Sequence, residues 1–256
     1  MMILREDNSR PYVLETTWDR VGHVLRLPPQ KILVPAVVSA WVLVAVFWHP
    51  TLLVALFVGV IMQYFIEYIM HRFLYHADAP EEVDNRFRWL YQSHWGHHDF
   101  PNNPNLWGGT DMVFVPVVAA CFFIVEWAIL AVVGVSQSWL YAYVAVFGAS
   151  LATYITYEWA HVTAHAAGRK NWLERYITQM HAHHHFHNFD TNYHVNAGGI
   201  LVDKTFGTAY SRERHVRMGN IRTMGLDPDD ARLIQLREEF ADKYNITSAD
   251  RQKAMA

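Results

Sequence analysis

Cysteine is nearly absent from this sequence. Cys121 is the only one in 256 residues, so no disulfide can form within the chain. Charge is missing over long stretches. No Asp, Glu, Lys or Arg lies between Ile32 and Ile66, and only Glu126 interrupts Met112–Tyr157. A clustered basic face is lacking too: net charge is −3 with neutral histidines, which gives nucleic acid nothing to grip. The first thirty residues are polar and mixed in charge, so no secretory leader is expected there. What is abundant is apolar surface. A chain 52% hydrophobic and 18% charged is too apolar for a soluble domain of average makeup.

His49-Pro50 splits the first uncharged run into Ile32–Trp48 and Thr51–Met70. Gly134 to Ser138 splits the second into Met112–Val133 and Trp139–Tyr157. A bilayer core about 30 Å thick needs roughly 17–25 helical residues, so each segment qualifies as a span. A soluble bundle of buried hairpins is the alternative, but such near-uncharged runs are rare in soluble folds. Neither short turn carries Lys or Arg, whereas Arg5, Arg10, Arg20, Arg26 and Lys31 precede the first span. Arg72, Arg86 and Arg88 follow the second. The positive-inside rule then predicts both termini in the cytoplasm of a multi-pass protein of the bacterial inner membrane or endoplasmic reticulum. On that side the Asn245-Ile246-Thr247 sequon escapes glycosylation.

The expected fold class is therefore all-α and integral to the membrane. Four transmembrane helices in two hairpins would lie under a cytoplasmic helical cap holding a dinuclear histidine site. Residues 1–31 form an amino-terminal cytoplasmic segment whose Trp18, Val21, Val24 and Leu25 suggest an interfacial helix. Residues 32–210 form the membrane domain, and 211–256 a cytoplasmic helical tail. Asp227-Pro228 would open a tail helix, with Leu233, Leu236, Phe240 and Tyr244 on its packing stripe. Trp89, Tyr91, Trp95, Trp107, Trp159 and Trp172 read as interfacial anchors in preference to channel-lining residues.

Ten of the sixteen histidines fall into four spaced clusters beside these spans. They are His71 and His76; His94, His97 and His98; His161 and His165; His181, His184 and His185. Neutral imidazole is the commonest metal ligand, and ten exceed what one ion can hold, so two metals are expected. Neighbours three and four apart share a helix face, which predicts convergence within each of the last three clusters. His71 and His76 are five apart and would converge only where a helix ends or bends. His183 lies about 200° round the helix from His181 and should face elsewhere. His187 and His194 are candidate outer residues, while His23, His49 and His215 belong to no cluster.

A ligating imidazole usually donates its second N–H to a carboxylate or carbonyl. Glu67 and Glu158, four and three residues ahead of His71 and His161, are spaced for that role or for snorkelling to water. Glu126, within the third span, is expected to face the bundle interior or to be protonated. With no carboxylate ligand, two divalent ions would carry four positive charges, and anionic oxygen ligands would compensate them, which suits oxygen activation. Zinc has no redox chemistry, so it can fill such a site without running it. Iron is the expected working metal, and zinc, which binds more tightly than Fe(II), can replace it during purification.

The four boxes, in this order, resemble the membrane-bound fatty acid hydroxylase superfamily, a group of histidine-box di-iron enzymes. Glu67-Tyr68-x-x-His71-Arg72-Phe73-Leu74-x-His76 is especially similar to the first box of fatty acid 2-hydroxylases. Asp203-Lys204-Thr205-Phe206-Gly207-Thr208 is similar to that group's W-D-x-x-F-G-T ending, except that Val202 replaces the Trp. The resemblance covers residues 50–210. It implies an O2-dependent oxidoreductase that hydroxylates a lipid C–H bond, with the ten box histidines as iron ligands and the 2-position of a fatty acyl chain as target. No cytochrome b5 haem motif occurs: the one His-Pro pair, His49-Pro50, lacks the Gly-Gly that follows in that motif. Electrons would then come from a separate b5-type haem protein, or a ferredoxin with its reductase.

A sterol or carotenoid oxidase, or a desaturase, could use the same centre. A membrane metal transporter or metal-buffering protein is the non-enzyme alternative. Transporter ligands belong near the bilayer midplane on broken helices, however, and these boxes sit at span ends.

Overall fold

A computed structural model of the protein describes residues 2–108, 124–134, 136–213 and 219–256. Among these residues the fold is helical, with an isolated parallel bridge between Val13 and Ala167 and no strand. The chain divides into two units, one of Met1–Arg20, Tyr68–Thr110 and Ala160–Ala256, the other of Val21–Glu67 and Asp111–Trp159.

The second unit carries the apolar runs. Helix α1 (Thr17–Leu25) leads into α2 (Gln30–Val46) through a 98° bend, and α3 begins at Thr51 after the His49-Pro50 break. Residues 124–132 are helical (α6), Gly134 turns the chain at φ 76°, and α7 runs Gln137–His165. Among the described residues Thr51–Tyr75 and Gln137–His165 are long and apolar enough to cross a membrane, with a third if α1 and α2 make one broken span. The expected first span is thus a seventeen-residue helix joined to a sharp bend. Most of the expected third span, Met112–Val133, lies outside the described residues. Trp18 and Leu25 of α1 are exposed while Val24 is buried.

Small residues let these helices approach. A Cβ on Gly59 of α3 would stand 2.2 Å from the Val146 carbonyl oxygen of α7, so only glycine fits that crossing. Val44, Leu52, Ala55 and Ala145 form the buried cluster beside it. Ser150 donates to Gln63 at 3.0 Å, a buried polar contact of the kind that joins membrane helices. Of the two expectations for Glu126, the interior position is not met: it is exposed and accepts a hydrogen bond from Tyr143 of α7. A neighbouring hydroxyl, and not burial, answers its polarity.

The first unit is built around the boxes. Helix α3 continues as a π turn, Met70–Tyr75. Asp84 caps α4 (Asn85–Leu90) by accepting the Phe87 N–H at 2.7 Å; a second π turn, Tyr91–Trp95, then leads into α5, Gly96–Asp99. Asn171 and Glu174 form a capping box at the start of α8 (Trp172–Phe186), and α9 spans Ile200–Thr205. The carboxyl-terminal helices are α10 (Ala231–Glu239), α11 (Ala241–Tyr244) and α12 (Ser248–Met255).

Helix α10 starts later than Asp227-Pro228 suggests. Asp227 closes a turn by accepting the Asp230 N–H at 2.9 Å, and the Asp230 side chain then caps the helix. The stripe Leu233, Leu236, Phe240 and Tyr244 is buried against Phe87, Leu90, Tyr91 and Trp95. Three of the expected interfacial aromatics are buried, two of them in this cluster. Tyr91, Trp95 and Trp107 are at most 3% exposed, while Trp172 is 74% exposed. The indoles of Trp95 and Trp107 donate to the Tyr75 and Pro101 carbonyls at 2.9 and 2.8 Å, which satisfies their N–H groups in the interior.

Candidate metal centre

The π turn answers the spacing of the first box. In a π turn the N–H of residue i+5 meets the carbonyl of residue i, and His76 N–H donates to the His71 carbonyl at 3.1 Å. Residues five apart thus come onto one face without the helix ending between them.

The imidazoles gather in two groups. His71, His76, His94, His98 and His184 form one, and His97, His165, His181 and His185 the other; within each, the ligand atoms lie within 4.8 Å of one another. The tenth, His161, has its Nε2 3.4 Å from His97 Nε2, beside the second group. The boxes do not map one to one onto the groups, a correction to the expected convergence within each box. Adjacent residues on a helix diverge by 100°. His97 and His98 therefore part, as do His184 and His185, and each pair sends one ring to each group.

Contacts in the first group centre on His94. Its Nε2 lies 3.1, 2.9 and 2.9 Å from the Nε2 atoms of His71, His76 and His98. His184 Nε2 is 3.2 Å from that of His98. Two tautomers are fixed from behind. His71 donates its Nδ1–H to the Tyr193 carbonyl, and His184 donates Nδ1–H to the Thr191 carbonyl at 2.8 Å. When neutral, both therefore aim a bare Nε2 lone pair inward. His94 Nε2 carries either one hydrogen or one lone pair, so it cannot satisfy all three neighbours, and it meets the bare Nε2 of His71 lone pair to lone pair unless it holds the hydrogen itself.

A cation resolves this. Nitrogens about 2.1 Å from one ion lie roughly 3.0–3.4 Å from each other, close to the 2.9–3.2 Å separations in the first group. In the second group His165 and His181 Nε2 are 2.9 Å apart. His185 Nε2 is buried with no hydrogen-bond partner among the described residues, as are the Nδ1 atoms of His76, His97, His98 and His181 on the ring edge away from the Nε2 contacts. Burial first, then neighbouring imidazoles, holds His76, His94, His97, His98, His181 and His185 well below the usual histidine range. Burial also brings His184 down to about 4, against the opposing Thr191 hydrogen bond. Neutral rings are the metal-binding form, so the residues fit a pair of metal ions.

The outer residues differ from the sequence expectation. Carbonyls, and not carboxylates, back His71 and His184. Glu67 and Glu158 are buried in the other unit, where Glu158 hydrogen-bonds Tyr154. His194 is buried and donates its backbone N–H to Asp203 at 3.2 Å. His187 is exposed, and its ring is near His183 and Tyr210, away from both groups. His183 stacks on Tyr210 at 4.1 Å, facing elsewhere as its helical angle predicts. His49 accepts from Thr51 in the turn between α2 and α3, and His215 lies outside the described residues.

Asp203 is the residue that ligand spacing alone misses. One oxygen accepts the Tyr193 N–H at 3.0 Å and the Thr208 hydroxyl at 2.8 Å. The D-x-x-F-G-T ending thereby holds the segment whose carbonyls orient His71 and His184.

A family profile described as "Fatty acid hydroxylase" matches residues 56–208. The chain is 28% identical over 150 residues to an Arabidopsis thaliana protein named "Dihydroceramide fatty acyl 2-hydroxylase FAH2", covering 59% of this chain and 58% of that one. It is 29% identical over 172 residues to the Mus musculus "Fatty acid 2-hydroxylase", covering 64% and 42%. The chain thus spans about half the length of these relatives. A solved structure titled "Full length scs7p (only hydroxylase domain visible)" shares the fold, with TM-score 0.57 and 24% identity over 77% of this chain and 67% of that one.

Proposed function

The chain belongs to the fatty acid hydroxylase family, and from that premise we propose that it is a membrane-bound di-iron monooxygenase. In this reading it hydroxylates the 2-position of a fatty acyl chain in a membrane lipid. The observation that carries the reading is the pair of buried imidazole groups with converging nitrogens. His71, His76, His94, His98 and His184 would hold one iron; His97, His161, His165, His181 and His185 would hold the other. When bound, the irons supply the redox chemistry by which O2, two electrons and two protons convert C–H to C–OH and water.

The protein's own part is arrangement. The Tyr193 and Thr191 carbonyls fix two tautomers, and burial keeps the rings neutral. Two electrons per turnover come from a separate donor, a b5-type haem protein or a ferredoxin with its reductase. The 2-position rests on the first-box likeness and on the names of the relatives. Four spans beneath a cytoplasmic cap, with both termini cytoplasmic, complete the reading. The chain would reside in an endoplasmic reticulum or bacterial inner membrane.

Lipid mass spectrometry on cells expressing the chain under 18O2, beside a His184→Ala control, tests it. A labelled hydroxyl at the 2-position of one lipid class, absent from the control, is expected. Loss of two hydrogens without label would make the enzyme a desaturase. Unchanged lipids, with iron in the protein and a donor supplied, would sink the reading.

A further inference from the structure

Asp99 directly follows His97 and His98 on the one-turn helix α5. Neither it nor Arg237 of α10 belongs to the ligand set. The two side chains meet in a two-pronged pair: Arg237 Nε donates to Asp99 Oδ2 at 2.7 Å, and Nη2 donates to Oδ1 at 2.8 Å. Both are about 1% exposed. The Tyr91 hydroxyl donates to the same carboxylate at 3.2 Å, and Arg237 Nη1 donates to the Pro228 carbonyl at 2.6 Å. Every contact fixes direction as well as distance.

A buried ion pair is weak evidence for stability, because desolvation offsets the attraction; its best-attested use is to fix one geometry. Helix α5 needs such help. A helix of one turn has no independent stability. Its Gly96 is wedged where a Cβ would stand 2.8 Å from the Tyr91 carbonyl oxygen. From this short piece His98 enters the five-histidine group and His97 the four-histidine group. Rotation of α5 about its axis would therefore disturb both groups at once. Around the pair, Leu233, Leu236 and Phe240 pack on Phe87, Tyr91 and Trp95, and Glu239 pairs with Arg88 at 2.8 Å.

We propose that the Asp99–Arg237 pair is a positioning brace, through which the carboxyl-terminal helix α10 sets the rotation of α5 and so places His97 and His98 in their separate groups. It rests on the metal reading above. The carboxyl-terminal segment is then part of what makes the second box competent to hold metal.

The test uses the full chain, purified in detergent with iron supplied, as wild type, Arg237→Met, Arg237→Lys and Asp99→Asn. Iron per chain and the rate at which a chelator strips it from the folded protein are measured, with the melting temperature of the metal-free form alongside. Arg237→Met and Asp99→Asn are expected to release iron at least ~10-fold faster, the usual effect of losing an outer partner. Arg237→Lys keeps the charge without the fork and should fall between. Should Arg237→Met fail to fold, Asp99→Asn and Arg237→Lys carry the comparison. Lower melting with wild-type iron content and release rate would mean a merely structural pair and overturn the brace alone. A wild-type chain that takes up no iron would overturn the metal reading, and the brace with it.

Discussion

Asp203 accepts the backbone N–H of Tyr193 at 3.0 Å, while the carbonyl of that same Tyr193 receives the Nδ1–H of His71. A carboxylate thus acts on the first imidazole group through one residue's main chain. Replacing it by alanine frees the Tyr193 and His194 N–H groups together. Asp203→Ala should lose iron and fall about 10–100-fold in hydroxylation, the range seen when outer partners of a metal site are removed. Asp203→Asn, which keeps one acceptor oxygen, should fall less. Iron per chain and labelled product per iron separate the two effects. Wild-type values for both variants would remove Asp203 from the account.

His94, in the second π turn, and His187, just past the end of α8, invite a sharper comparison. His94→Ala removes the ring that three others face and should abolish product formation. His187→Ala touches an exposed ring beside His183 and Tyr210. It should keep its iron and stay within about 0.5 kcal/mol of wild-type stability. Iron analysis and a denaturant melt of the two proteins decide the matter. Loss of iron from His187→Ala would return that ring to the site.

Much of this site could be read from spacing, and what could not has physical causes. Four-residue steps reveal His94 with His98, His161 with His165 and His181 with His185, because helical faces repeat near that interval, whereas His97 and His184, three residues on from His94 and His181, join the other group. The parting of His97 from His98 follows from the same repeat, but which ring joins which group depends on the tertiary packing. The π turn that brings His76 to His71 leaves no composition signal. The carbonyls of Thr191 and Tyr193 are invisible for a simpler reason: every residue has one, so no side chain betrays which will meet a ligand. Aromatic residues misled in the opposite direction. Tyr91, Trp95 and Trp107 have the chemistry of interfacial anchors, and only the carboxyl-terminal helices, packed over the second box, show that two of them belong to a core. Of the expected spans, the second and fourth correspond to helices long and apolar enough to cross a membrane, Thr51–Tyr75 and Gln137–His165, because their uncharged runs begin cleanly after Pro50 and Gly134.

Arg20 looked like one more cytoplasmic charge, yet it is buried. Its Nη2 pairs with Glu174 at 3.0 Å, and Nη1 and Nη2 donate to the Leu14 and Arg169 carbonyls at 2.6 and 2.7 Å. Glu174 also caps α8, the helix that presents His181, His184 and His185. Arg20→Ala strands a buried carboxylate and should cost about 3–5 kcal/mol. Adding Glu174→Gln removes the stranded charge and should recover part of that loss. Urea unfolding of the two variants measures it. A double mutant no more stable than Arg20→Ala would show that the carbonyl contacts, and not the charge pair, hold the segment.

Metal removal reaches the centre itself. His94 Nε2 stands within 3.1 Å of three other Nε2 atoms, two of them 2.9 Å away. Without a cation these nitrogens cannot all satisfy one another, and the separation or hydration that follows opens a buried cluster. An ion that binds only the folded chain stabilises it by about 4 kcal/mol when present at 1,000 times its dissociation constant. Two ions should therefore raise the melting temperature well above that of the chelator-treated protein. Anaerobic Fe(II) should restore it in proportion to iron bound, levelling off at two per chain. Zinc should restore melting without restoring hydroxylation, since it fills the ligand geometry but has no redox chemistry. Saturation at one ion per chain would contradict two separate groups. Identical melting with and without metal would mean that the histidines are content to pack against one another, and the reading of this cluster as a metal centre would fall.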